Sequence, residues 1–203
     1  MKVKTKLFEY GDRELNYLKQ ADPILGQAID SYGKIDRIVI PDLFQALVHA
    51  IIGQQISLKA ADTVWNKVQE RFDITPEYFI DIPKEELQQC GMSMRKADYI
   101  LGIAHEINKG NLDLNSLYKI SDQEVIKKLS SLKGIGVWTA EMLLLNSMER
   151  PDVVSYGDMA IRRGMMTLYG LNDLSKEEFN AYRSKYSPYG SVASIYLWQI
   201  SKQ

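Results

Sequence analysis

Leu132-Lys133-Gly134-Ile135-Gly136-Val137-Trp138-Thr139-Ala140, with Asp158 after it, is the stretch on which the fold turns. Two glycines flanking one apolar residue separate two helix-like patterns, one from about Asp122 to Ser131 and one from about Val137 to Met148. Glycines there permit a tight hairpin and let backbone N–H groups approach an anion with no side chain in the way. A phosphate is the natural partner for such a turn. Asp158 closes the next loop, placed to act on whatever the turn delivers. Taken alone, Gly134-Ile135-Gly136 also fits an ordinary helix–helix connection.

The surrounding chain reads as helix after helix. Asp12 to Gln20 is helix-like, and Asp22-Pro23 supplies an N-cap and a first-turn proline for a helix that Gly33 stops. From Pro41 to Gly53, Phe44, Leu47, Val48, Ile51 and Ile52 recur at helical spacing. Ser57 caps a helix carrying Leu58, Ala61, Val64, Trp65 and Val68. Shorter helices are predicted at Thr75-Pro76-Glu77 and from Pro83 to Gln89, and a longer one from Ser93 towards Gly110. Capping boxes at Ser121–Glu124 and Ser175–Glu178 start two more. An apolar helix follows Asp158 to about Tyr169, and a last one runs from about Gly190 to Ile200. Only Val3 to Tyr10 alternates. The expectation is an all-α protein of about nine or ten short helices.

Composition removes several function classes. Cys90 is the only cysteine among 203 residues, which excludes a disulfide framework, a zinc ribbon and a cysteine-ligated iron–sulfur cluster. Two histidines, His49 and His105, make a poor metal site and are read as packed. No apolar run approaches the ~20 residues of a membrane span. The start, Met-Lys-Val-Lys-Thr-Lys, lacks the apolar core of a signal peptide, so a cytoplasmic location is expected, nucleoid-associated in a bacterium. A net charge of −1 argues against a dedicated nucleic-acid binder, but Lys127, Lys128 and Lys133 form a local basic face beside the hairpin.

At Trp138-Thr139-Ala140 the stretch resembles the helix-hairpin-helix superfamily of DNA glycosylases, most closely the alkylation-repair branch, 3-methyladenine DNA glycosylase II. Phe44 to Ser57, ending Gly53-Gln54-Gln55-Ile56-Ser57, is similar to that branch's Gly-Gln-Gln-x-Ser helix end. Gly91-Met92-Ser93-Met94-Arg95-Lys96-Ala97 is similar to its Gly-x-Ser-x-Arg-Lys-Ala segment. The resemblance spans roughly residues 35–200. It implies a two-lobed helix-hairpin-helix fold with the active site in the cleft between lobes. The approximate lobes are 36–130, and 1–35 with 131–203, the latter carrying the hairpin's exit helix and Asp158. Leu15, Leu18, Leu25 and Ile29 are expected to be buried against the C-terminal lobe. The residues ahead of the resemblance are too few for the β-rich domain of larger members, so a compact form is expected.

The resemblance also implies roles. Asp158 falls on the aspartate that stabilises the oxocarbenium character of the sugar during N-glycosidic cleavage; as a residue, it also reads simply as the cap of the helix at Met159. Trp138 and Trp198 match pocket aromatics, whose faces select cationic alkylated purines, although core packing accounts for both equally simply. Met142 replaces a further pocket aromatic, which leaves the substrate range open. Trp138 also stands where strand-cutting relatives carry a Schiff-base lysine, so no lyase activity is expected. Gln54 and Gln55 lie where a side chain fills the space of the flipped base, with Gln55 favoured. Lys133, Gly134, Ile135, Gly136, Val137, Thr139 and Ser57 are the further DNA contacts. The carbonyls of Ser130, Leu132 and Ile135 are candidate ligands of a structural Na+ or K+; no other cofactor is implied. The implied activity is monofunctional excision of alkylated purines of the 3-methyladenine and 7-methylguanine type from double-stranded DNA, by a monomer. Two alternatives remain: a non-catalytic binder of damaged DNA, and a glycosylase for deaminated or oxidised bases.

Overall fold

The computed structural model describes residues 2–203. In chain order the elements are β1 (Lys6–Leu7), α1 (Asp12–Ala21), α2 (Pro23–Tyr32), β2 (Ile38–Val39), α3 (Leu43–Gly53), α4 (Leu58–Arg71), α5 (Pro76–Phe79), α6 (Lys84–Gln89), α7 (Met94–Asn108), α8 (Leu114–Leu117), α9 (Asp122–Ser130), α10 (Val137–Asn146), α11 (Met159–Tyr169), α12 (Lys176–Tyr186) and α13 (Gly190–Ile200). The thirteen helices of the described residues exceed the nine or ten expected, because one-turn helices such as α8 are too short for apolar periodicity to register. β1 and β2 pair as the only sheet among the described residues.

The capping chemistry read from the sequence operates as expected. Ser57, Thr75, Ser93, Ser121 and Ser175 each accept a backbone N–H in the first turn of the helix they precede. Asp22 accepts from Ile24 and Leu25 at the start of α2, with Pro23 in its first turn.

Two compact units make up the chain. The first combines Ile40–Met148 with the chain up to Lys6; the second combines Leu7–Val39 with Glu149–Gln203. The border expected after residue 130 therefore moves: α10 belongs to the first unit, packed on α9 and α3. Its apolar face, Ala140, Leu143, Leu144 and Leu145, is buried there. Periodicity identifies such a face without saying which helix covers it.

The first unit is built around α3, which packs on α4, α7 and α10. Leu43, Phe44, Ala46, Leu47, Val48, Ile51 and Ile52 of α3 are all buried, each large side chain contributing about 1.5–3 kcal/mol of transfer free energy. Leu58 departs from expectation. It is 85% exposed at the start of α4 while Ala61, Val64, Trp65 and Val68 face inward.

In the second unit α13 is the buried helix, with Leu18, Leu25 and Ile29 in the same core. Gly164 lets α11 and α13 meet: a Cβ there would lie 2.0 Å from the Leu197 carbonyl oxygen. Met165 is fully buried, whereas Met159 is 71% exposed in the first turn of α11.

Candidate functional site

In the first unit the hairpin is held by neighbours distant in sequence. Gly134 adopts φ +89, and a Cβ there would stand 2.2 Å from Cδ2 of Tyr99. Only glycine satisfies both constraints. Gly136 differs: its φ is −90 and no atom lies within 4 Å of an added Cβ. Its bare backbone faces open space at the start of α10, which begins with no side-chain cap. The N-terminal N–H groups of α10 therefore point outward, the arrangement that binds anions. Exposed Lys127, Lys128 and Lys133 add positive charge on α9 and the turn.

Of the expected contacts, Ile135 and Thr139 have only backbone groups to offer. Both side chains are buried, and the Ile135 N–H donates to the Leu132 carbonyl at 3.1 Å, closing the turn. Ile135 is the apolar pin of the hairpin. Thr139 retains only its backbone position in the first turn of α10. Val137 and Trp138 are 56% and 45% exposed.

Gln54 and Gln55 separate into two roles. The Gln54 Nε2 donates to the Gly134 carbonyl at 2.8 Å, tying the end of α3 to the hairpin across eighty residues of sequence. The Lys96 ammonium, from α7, donates to the Ile52 and Gln54 carbonyls at 2.8 and 2.6 Å and so completes the C-terminus of α3. Burial pulls the Lys96 ammonium below its ordinary pKa, and Arg95 beside it pulls the same way. Gln55 is exposed and left-handed, with φ +58, a conformation that costs a non-glycine residue energy. Ile56 (40% exposed) and Leu58 adjoin it, making an apolar tip that helical spacing conceals. The Ser57 hydroxyl is occupied in capping α4.

The second unit presents the carboxylate. Asp158 is 6% exposed, and its Oδ1 accepts from the N–H groups of Ala160 and Ile161, both at 2.9 Å. It caps α11, and the cap is what orients it. The loop before it is fastened to α13: the Val153 N–H donates to Ser191 Oγ, the Ser194 hydroxyl donates to the Val153 carbonyl, and the Gly190 N–H donates to Asp152 Oδ1. Asp152 is thus engaged in holding the loop.

Sequence reading missed Arg37, which the structure sets against Trp198. Its guanidinium lies 4.4 Å from the centroid of the Trp198 ring. Burial lowers its pKa, and the negative charge of Asp158 opposes that shift, which makes Arg37 an electrostatic partner of the carboxylate. The segment is fixed by the Phe8 N–H on the Arg37 carbonyl and by Tyr10, whose hydroxyl donates to Ile35 O and accepts from Ile35 N. Trp198 thus already holds a cation on its ring. Met142 is half-buried on α10. His49 packs edge-on against Trp65 at 5.0 Å between centroids, and burial lowers its pKa, with Asp62 opposing. A fixed, buried carboxylate can stabilise positive charge developing next to it.

Residues 48–188 match the family model described as the HhH-GPD superfamily base excision DNA repair protein. The chain belongs to this superfamily. Among its relatives is DNA-3-methyladenine glycosylase 1 of Schizosaccharomyces pombe, 33% identical over 166 residues, covering 78% of this chain and 72% of that protein. The DNA-3-methyladenine glycosylase of Bacillus subtilis is 28% identical, covering 90% of this chain and 65% of its relative. The crystal structure of DNA-3-methyladenine glycosidase from Bacillus halodurans superposes with TM-score 0.82 at 33% identity, covering 98% and 92% of the two chains. The S. pombe 3-methyladenine DNA glycosylase in complex with abasic DNA superposes with TM-score 0.83 at 28% identity, covering 94% and 97%. As an HhH-GPD protein, the chain takes the all-helical architecture of its glycosylase neighbours.

Proposed function

We propose that this HhH-GPD protein is a monofunctional DNA glycosylase of base excision repair. It flips alkylated purines of the 3-methyladenine and 7-methylguanine type out of duplex DNA and hydrolyses their N-glycosidic bond, leaving an abasic site. The observation that carries the reading is Asp158, a carboxylate buried and fixed by two backbone N–H groups in a chain whose relatives are named as 3-methyladenine glycosylases.

In this scheme the N–H groups at the start of α10, with Lys133, hold a backbone phosphate. The carbonyls of Ser130, Leu132 and Ile135 remain the proposed donors to a monovalent cation; the Leu132 carbonyl also accepts within the turn. Gln55, itself left-handed and followed by exposed Ile56 and Leu58, fills the space of the flipped base, while Gln54 braces the hairpin. Trp138 offers its exposed ring to a cationic base, and Trp198 offers whatever surface Arg37 leaves. A base already carrying positive charge leaves without protonation, which suits a site with one carboxylate. Helix α10, Val137-Trp138-Thr139-Ala140-Glu141-Met142-Leu143-Leu144-Leu145-Asn146, contains no lysine, which supports hydrolysis without strand cutting. One copy of the chain, acting in the cytoplasm, suffices for one lesion.

Chromatography of the bases freed from methylated, uracil-containing and hypoxanthine-containing duplexes tests the reading. Release of 3-methyladenine and 7-methylguanine is expected. Release confined to uracil or hypoxanthine would overturn the substrate class, and tight binding with no base freed would overturn the enzyme.

A further inference from the structure

In the second unit, four residues beyond Asp158, stands Arg162, a cation in no ion pair among the described residues. Arg162 donates its own N–H to the Asp158 carbonyl as α11 begins, and its guanidinium lies 4.9 Å from the centroid of the Tyr156 ring. Its remaining neighbour is weak, the thioether of exposed Met159. Its Nε is buried and has no acceptor. A buried N–H left unmade costs about 1–3 kcal/mol; the Nη2 end of the guanidinium is exposed and is the part an incoming acceptor can reach.

The surroundings are arranged for an anion. Lys176, the first residue of α12, brings its ammonium to 6.0 Å from the same Tyr156 ring, whose edge is fixed by Phe179 at 5.2 Å between centroids. Two acids close by in sequence are turned to other work, while Glu177 is exposed in the first turn of α12. The Glu178 carboxylate accepts from the Ser175 N–H and hydroxyl in the α12 capping box, which holds its pKa below the ordinary value. Asp158 Oδ1 is bound to the first turn of α11. Arg163 adds an exposed positive charge on the next residue.

We propose that Arg162 and Lys176, both against the Tyr156 ring, form a second binding site for a DNA backbone phosphate, adjoining the loop that presents Asp158. The guanidinium supplies the directional hydrogen bonds and the ammonium supplies charge. The site rests on the chain being a DNA-binding glycosylase, and it would seat the sugar–phosphate chain beside the carboxylate.

The test is the salt dependence of affinity for a short duplex bearing a tetrahydrofuran abasic-site analogue, measured by fluorescence anisotropy for the unaltered protein and Arg162→Gln. Each phosphate contact steepens log K against log salt by about 0.9. Raising salt from ~50 to ~200 mM is therefore expected to weaken the unaltered protein about 3- to 4-fold more than Arg162→Gln. Lys176→Gln, at the helix surface, is expected to flatten the slope in the same direction while leaving the melting temperature unchanged. Equal slopes overturn the proposal, whether Arg162→Gln melts normally or early, as does failure of the unaltered protein to bind the duplex. Base release from methylated DNA is scored separately: a flattened slope with no base freed by the unaltered protein would retain the phosphate site and discard the glycosylase.

Discussion

Alanine at Gly134 and alanine at Gly136 should have opposite signatures although the two glycines share one turn. At Gly134 two costs add. A side chain at φ +89 is disfavoured by about 1–2 kcal/mol. A Cβ would also stand 2.2, 2.6 and 2.9 Å from Cδ2, Cγ and Cε2 of Tyr99, so the ring must leave its place, with overpacking of about 1–3 kcal/mol. Gly134→Ala is thus expected to lose about 2–5 kcal/mol, or roughly 4–20 °C in melting temperature for a chain of this size. At Gly136, φ −90 carries no strain and an added methyl meets nothing, so stability should change by less than about 1 kcal/mol. The methyl would instead stand where a phosphate approaches the start of α10, and loss of one charge-assisted hydrogen bond weakens DNA binding about 10- to 100-fold. Thermal melts and anisotropy titrations read the two effects separately. Equal melting temperatures for Gly134→Ala and the unaltered protein, or a Gly136→Ala variant that melts early and binds normally, would refute the reasoning.

Gly164→Ala drives a methyl into the Leu197 carbonyl, backbone that cannot rotate away, so it should destabilise by about 3 kcal/mol and lower base release through displacement of α11, read by melting and turnover together. Arg37→Ala should reduce the rate of base release while sparing DNA affinity, and Arg37→Lys should restore part of it; full activity in Arg37→Ala would remove Arg37 from the account. Asp22 is 2% exposed, and although burial pushes its pKa up, the Leu25 N–H, Tyr169 and Lys185 together hold it below the ordinary value. A depressed carboxylate stabilises the fold above its unfolded pKa and loses that contribution as pH falls through the folded value. Asp22→Ala should therefore cost about 2–3 kcal/mol near neutral pH, with the gap to the unaltered protein narrowing below about pH 4; a gap constant with pH would contradict it.

Local chemistry was legible in the sequence wherever a residue acts within its own turn. Serine, threonine and aspartate caps announce helix starts because the side chain bonds an N–H two or three residues on, and Asp158 is legible as a cap by the same logic. The hairpin glycines are legible too, but not the difference between them, which depends on Tyr99 from another helix. Arg37 was invisible: it follows no periodicity, and its place comes from the Phe8 N–H, the Tyr10–Ile35 bonds and Trp198, none of them local. Gln54 read as a partner for DNA because a polar side chain at a helix end has many possible acceptors, and the one it finds lies eighty residues away. Leu58 read as part of the apolar face because apolar spacing marks such a face without revealing whether its first turn is covered.

Asp158→Asn tests the central claim most directly. Asparagine caps a helix as well as aspartate does, and its carbonyl oxygen can still accept from Ala160 and Ile161, so the fold and the loop should persist. What disappears is the negative charge. With methylated duplex, the variant is predicted to bind within about threefold of the unaltered protein and to free bases at least ~100-fold more slowly. Undiminished release of 3-methyladenine by Asp158→Asn would contradict the account.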